Sequence, residues 1–148
     1  MTLHSAEVCS INLSSEKGVV KIPVESALLI EGHGISGDAH AEPGVRQVSL
    51  LASESIDKMR AQTSNELHFG DFAENITTKG LELHKMPIGT RMTVGETILE
   101  VSKIGKECHH GCAIQKKVGK CIMPLEGIFA KVLRGGVVRR GDKIGVVE

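Results

Sequence analysis

Between its glycines, the chain carries apolar residues in short alternating runs, the pattern of strands half buried on one face. Residues 7–14, EVCSINLS, set Val8, Ser10 and Asn12 on one side and Cys9, Ile11 and Leu13 on the other. GVVKIPV (18–24) predicts a second strand, whose end Pro23 confines to an edge or bend because proline cannot donate to a ladder. ALLIEGHGISGDAHA starts apolar and breaks into a glycine-rich loop. QVSLL predicts a strand, after which Ser53 is placed to cap a helix from about Glu54 to Gln62, with Ile56, Met59 and Arg60 at helical spacing. ENITTKGLEL has the threonine and isoleucine content of a strand and turns at Gly80. IGTRMTVGETILEVSKIG (88–105) predicts two strands joined through Val94, Gly95 and Glu96. MPLEGIFAKVLRGG (123–136) predicts a short helix from Leu125 to Leu133 closed by Gly135. VVRRGDKIGVVE ends as a turn and a strand. Together these elements predict a mainly β fold: one domain over residues 1–148, a barrel with a few short helices.

Composition narrows the functions such a barrel can serve. At 148 residues the chain suits one domain with a real core, and its 17 glycines fit many tight turns. The 18 basic residues balance 18 acidic ones, so no global field favours nucleic acid or a membrane surface. With three phenylalanines, no tyrosine and no tryptophan, a platform for stacking bases is excluded as an expectation. The start, MTLHSAEVCS, lacks the basic and apolar regions of a signal peptide, and no apolar run reaches the length of a membrane span. The expected address is the cytosol, where thiols stay reduced and cysteines serve metals or thiol chemistry more often than disulfides.

Two polar loops stand out. GHGISGDAH (32–40) carries four glycines with Asp38 and His40, and matches neither a phosphate-binding P-loop nor a dinucleotide fingerprint. Asp38 and His40 are two apart and face one way in an extended segment, where a carboxylate can fix an imidazole's tautomer. The alternative is a turn capped by Asp38 with His40 structural. Arg46 leads into QVSLL and either solvates an edge or forms a fork for a carboxylate or phosphate. In HFGDFAENITTKG (68–80), Glu74 and Asn75 are expected at a strand entrance, as site groups or as partners of loop backbone.

The densest chemistry is GKECHHGCAIQKKVGKC (105–121), with three of the four cysteines. Three readings stay open. Cys108 and Cys112 have knuckle-like spacing, and Cys121 with His109 or His110 would complete a zinc set. Alternatively, Cys108 is a reactive thiol among Lys106, Lys116, Lys117 and Lys120, whose positive charge favours the thiolate. In the third reading these cysteines are inert packing, which is also the expectation for Cys9 on its strand.

Taken in order, GDAH, RQVSL, FGDFAENITTKGL, IGTRMTVGETILEVSKIGKEC and GIFAKVLRGGVVRRGD resemble the MOSC domain, named for the C-terminal domain of molybdenum cofactor sulfurases. The likeness runs from about Val8 to the end and is closest to the small stand-alone bacterial type. It implies a barrel with a cleft for a molybdopterin-type cofactor. The family's functional cysteine falls on Cys108, as sulfur carrier or molybdenum-facing ligand. Gly37, Asp38, His40, Arg46, Glu74 and Asn75 fall on shared polar positions. Arg46 with Lys116, Lys117 or Lys120 is expected to hold the cofactor phosphate, and Asp38 with His40 to shape the pocket or move protons. Implied partners are a sulfur donor such as a cysteine desulfurase and enzymes of molybdenum cofactor biosynthesis. Glu107 stands where many relatives have proline, and Cys112 and Cys121 are extra thiols. Two other functions remain in view: a small molybdenum-dependent reductase or sulfotransferase, and a zinc-stabilised interaction domain built on Cys108, Cys112, Cys121 and His109.

Overall fold

The computed structural model describes residues 6–17, 19–62, 66–105 and 126–147. Eleven strands are present among them: β1 (Ala6–Leu13), β2 (Ile22–Val24), β3 (Ser26–Ile30), β4 (Gly34–Ile35), β5 (Val48–Ala52), β6 (Ile76–Lys79), β7 (Arg91–Val94), β8 (Thr97–Ile104), β9 (Ile128–Arg134), β10 (Gly136–Arg139) and β11 (Lys143–Val147). A helix, α1 (Ser53–Arg60), follows β5, and a single 3-10 turn spans Leu83–Lys85. Seven strands close into a barrel in the order β11-β7-β8-β9-β5-β6-β1, with β1 returning to β11. β2 extends the wall from β1, and β10-β3-β4 form a small separate sheet.

The barrel interior is filled, not hollow. Val8, Ile11, Leu50, Ile76, Met92, Leu99, Val101, Ile128 and Val132 belong to one buried cluster. A second, smaller core lies outside the wall, where Leu51, Ile56, Met59, Leu67, Phe72 and Ala73 pack together. This second layer explains why all five residues of β5 are buried. Val48, Leu50 and Ala52 face the barrel while Leu51 faces the α1 side, so the strand is apolar on both faces apart from Ser49.

β1 departs from simple alternation. Its register against β6 slips between Val8 and Ser10, leaving Cys9 as the extra residue of a bulge. Val8 and Ile11 therefore both enter the barrel core. Ser10 and Asn12 turn to the other face, into a buried polar layer. Cys9 itself is half-buried.

Two helix expectations change. Residues 128–134 form β9 rather than a helix ending at Leu133, because the segment is claimed on both sides, by β8 and by β5. Ile128, Ala130 and Val132 supply an inward face at the strand period, which the apolar content alone had left ambiguous. Gly135 closes no helix; a side chain there would strike the Leu29 carbonyl at 2.6 Å. The helix after β5 forms, but Ser53 is its first residue and not its cap. The capping position belongs to Ala52, and the Ser53 hydroxyl turns to Glu54. α1 is instead held by its apolar face and by Glu126, whose carboxylate accepts from Ser55 Oγ at 2.6 Å and from Lys58 Nζ at 3.0 Å.

No helix among the described residues is long and apolar enough to cross a membrane.

Candidate functional site

β1 runs antiparallel to β6, and β5 runs parallel to it. The end of β1, the start of β6 and the approach to β5 therefore meet at one end of the barrel. Ser14, Glu74, Asn75, Arg46 and Gln47 all come from those three places.

The centre of this end is a lysine that the sequence reading did not single out. Lys21 is fully buried, and its ammonium lies 2.7 Å from Asp38 Oδ1, 3.0 Å from Ser14 Oγ and 3.0 Å from His40 Nδ1. An ammonium has three N–H bonds and no lone pair, so those partners use its donors. His40 Nδ1 must then be an acceptor, which assigns the ring proton to Nε2. The Asp38–His40 pairing expected from GDAH is thus made largely through Lys21: the direct Nδ1–Oδ2 separation is 3.9 Å. The backbone N–H of His40 does donate to Asp38 Oδ2, at 3.1 Å. One signal for Lys21 was present in the sequence, a single charge inside the apolar run VVKIPV. A buried lysine is rare without a partner, and Asp38 supplies it from 17 residues away.

Burial acts on the Asp38 carboxyl most strongly and by itself would raise its pKa. The hydrogen bond and charge of Lys21, the Ser14 N–H and the Asn75 amide outweigh it and hold the carboxyl below the ordinary range. Asp38 therefore contributes stability that is present above its unfolded pKa and lost as pH falls through the lower folded value. The stability difference between wild type and Asp38→Asn is expected to shrink in acid, below about pH 4. Urea midpoints measured across a pH series check this.

Glu74 and Asn75 stand at the entrance to β6, as anticipated, and they are buried. The Glu74 carboxylate accepts from Gly70 N–H at 3.0 Å, Phe72 N–H at 3.2 Å and the Thr77 hydroxyl at 2.7 Å. Burial pushes its pKa up against those three donors. Asn75 Oδ1 accepts from Ser49 N–H and Ser49 Oγ. Asn12 Nδ2 donates to the Glu74 carbonyl and to Thr77, and Ser10 Oγ donates to Asn12. A continuous polar layer thus backs the lysine cluster. The layer and the cluster join where the Lys21 N–H donates to the Gly70 carbonyl, at a glycine with φ of 93°. A side chain at position 70 would collide with the Lys21 carbonyl, so the close approach demands glycine.

Gly37, with φ of 86°, makes the turn that carries Asp38 to Lys21. Arg46 is exposed, its guanidinium 5.7 Å from the centre of the Phe129 ring. Phe129 pairs with Lys103 near the point where β8 and β9 meet. There Gly105 N–H donates to the Gly127 carbonyl at 2.7 Å, pinning the two ends of the cysteine-bearing stretch together. Cys108, His109, Cys112, Lys116, Lys117, Lys120 and Cys121 lie outside the described residues. Among the described residues there is no cluster of three metal-ligating side chains.

A barrel of this topology with this polar end can be compared with known families. Residues 36–145 match the family model for the MOSC domain. The chain belongs to the MOSC family. A curated relative from Bacillus subtilis strain 168, described as uncharacterized protein YflK, is 25% identical over 146 residues, covering 90% of this chain and 64% of that protein. The chain thus spans less than two thirds of that relative's length. Among solved structures, the YUAD protein from Bacillus subtilis superposes with a TM-score of 0.77 at 16% identity, over 95% of this chain and 94% of the other. YiiM from Geobacillus stearothermophilus gives 0.75 at 20% identity, over 97% and 75%. These two likenesses speak to the fold, and they agree with the expected MOSC barrel.

Proposed function

We propose that this MOSC chain is a molybdenum-cofactor-associated module that binds a molybdopterin-type cofactor and carries sulfur on Cys108. The reading rests on the Lys21–Asp38–His40 cluster: a buried ammonium, a carboxylate and an imidazole fixed in one tautomer at the end of a MOSC barrel. Taking such charges out of water costs desolvation, and perturbed titratable groups held by a specific partner cluster at functional sites.

The residues suit the cofactor's groups. Arg46 makes no hydrogen bond or ion pair among the described residues, so its fork is open to a phosphate. Lys116, Lys117 and Lys120 would add ammonium donors. Lys21 would not, since its donors are already used, and its role would be to orient His40 and keep Asp38 ionised. Glu74, Asn75 and Gly37 would shape the wall behind them. Bound molybdenum would supply a soft, sulfur-accepting centre, and a thiolate such as Cys108 is the ligand type that suits it.

The sulfur step balances without an added oxidant. The Cys108 thiolate attacks the outer sulfur of a donor persulfide, the donor's S–S bond breaks, and the donor leaves as a thiolate. Cys108 then holds the outer sulfur as a persulfide.

Native mass spectrometry with elemental analysis of freshly purified protein tests the proposal. A bound pterin with molybdenum or tungsten, or one extra sulfur mass on Cys108, is expected. Cys108→Ser is expected to abolish persulfide labelling while Cys112→Ser retains it. Stoichiometric zinc that survives dialysis, with loss of fold in both variants, would replace the proposal with a zinc-stabilised domain.

A further inference from the structure

A cleft of about 880 Å³ opens on the outer face of β1, apart from the lysine cluster. Lys21, Asp38, His40 and Arg46 are not among its lining residues. Its volume falls within the roughly 300–1,000 Å³ of small-molecule sites. Cationic side chains reach it from separate elements: Arg60 from the end of α1, Lys79 from the end of β6, and Arg140 from the turn between β10 and β11. His68 adds an imidazole from the loop before β6.

These groups differ in how free they are. Arg60 is fixed: it donates to Asp57 Oδ1 at 2.9 Å and to the Leu67 carbonyl at 3.0 Å, and it lies 5.6 Å from the Phe69 ring centre. The Lys79 side chain makes no hydrogen bond or ion pair among the described residues, and Lys79 stands opposite Glu7 in the β1–β6 ladder. Among the described residues the Arg140 side chain pairs with Glu25 alone, at 3.9 Å, with both side chains largely in solvent. A pre-positioned guanidinium and two loosely engaged cations on the same lining match a multiply charged oxyanion better than a single carboxylate. Phe69 and Pro23 give the cleft an apolar wall for the body of the same ligand. Glu7 is the carboxylate on the lining, suited to a hydroxyl or amine of that body. The bulge in β1 places Cys9 on the wall as well.

We propose that this cleft binds a small phosphorylated molecule, with its phosphate held by Arg60, Lys79 and Arg140 and its body against Phe69. This inference does not depend on the molybdenum cofactor reading, because the two sites share no residue.

Cys9 provides a local reporter. Tryptic cleavage after Lys17 puts Cys9 in a peptide with no other cysteine of this sequence. Iodoacetamide labelling of Cys9 in the full chain would be followed by peptide mass spectrometry against rising inorganic pyrophosphate, at ionic strength held constant with sodium chloride. Saturable slowing of Cys9 labelling is expected. In Lys79→Gln/Arg140→Gln the midpoint is expected to rise about tenfold or more, the loss that two charge-assisted hydrogen bonds imply. Both substituted side chains are surface groups, and an unchanged melting curve would confirm that the fold is retained. Absence of saturable protection, or protection that survives in the double variant, would overturn the proposal. Equal protection by chloride alone would show a general ionic effect and overturn it too.

Discussion

Lys21→Met is expected to lower stability by about 3–5 kcal/mol, the cost of leaving a buried carboxylate without its partner ion. Methionine keeps most of the volume, so little of the loss comes from packing. The variant strands Asp38, which would keep the Ser14 and His40 N–H donors but lose the ammonium at 2.7 Å. The sign of the pH dependence is also expected to reverse. In the wild type the Asp38 carboxyl is held low, so its contribution disappears in acid. Without Lys21, burial acts with less opposition and raises that carboxyl, so the variant loses stability as pH rises through the folded pKa. Urea denaturation across pH, for Lys21→Met alone and with Asp38→Asn, checks both statements. The double variant is expected to recover part of the loss, since the stranded charge is gone. A Lys21→Met protein as stable as wild type at neutral pH would mean that Asp38 gains nothing from Lys21.

Glu74→Ala is expected to be comparably damaging, by about 3–5 kcal/mol, because it orphans three buried donors at once. Gly70 N–H, Phe72 N–H and the Thr77 hydroxyl would lose their acceptor in a region closed to water. The loop they hold carries Phe72 into the outer core and presents the Gly70 carbonyl to Lys21, so the damage is expected to reach His40. Glu74→Gln keeps one acceptor and the volume, and is expected to fall between alanine and wild type. Its pH behaviour separates it further. Burial raises the Glu74 carboxyl, so its stability contribution is present below the unfolded pKa and lost as pH rises through the folded value. The glutamine variant lacks that slope. Thermal or urea unfolding across a pH series rising from the unfolded carboxyl value of about 4.3 distinguishes these cases, and equal slopes in wild type and Glu74→Gln would contradict the assignment.

Asp38 and Glu74 thus act with opposite signs although both are buried carboxyls. The difference lies in the partner: an ammonium beside one, neutral N–H and O–H donors around the other. Their sequence surroundings do not distinguish them, because Lys21 is 17 residues from Asp38 along the chain.

The sequence by itself determined the β character, most strand positions and the family, because alternation and turn glycines are local signals that tertiary contacts here reinforce. ILEVSKI and RMTVGETI became β8 and β7 with their turn where Gly95 lies, at φ of 57°. GDAH was legible as a polar cluster because Asp38 and His40 are near neighbours. The segment after Glu126 forms a strand where the sequence predicts a helix, because IFAKVL has apolar residues compatible with either period and the flanking β8 and β5 ladders decide for a strand. Ser53 looked like a cap, but a cap depends on where the preceding strand ends, and β5 runs through Ala52. Tertiary structure alone brought Lys21 to Asp38 and His40, folded Glu74 inward onto its own loop, and gathered Arg60, Lys79 and Arg140 around one cleft. The meetings at Lys21 and at the cleft join groups distant in sequence, whereas Glu74 meets donors two to four residues away and needs the tertiary fold only for its burial. The energies depend on that burial and on those distant partners, which no local run of residues encodes.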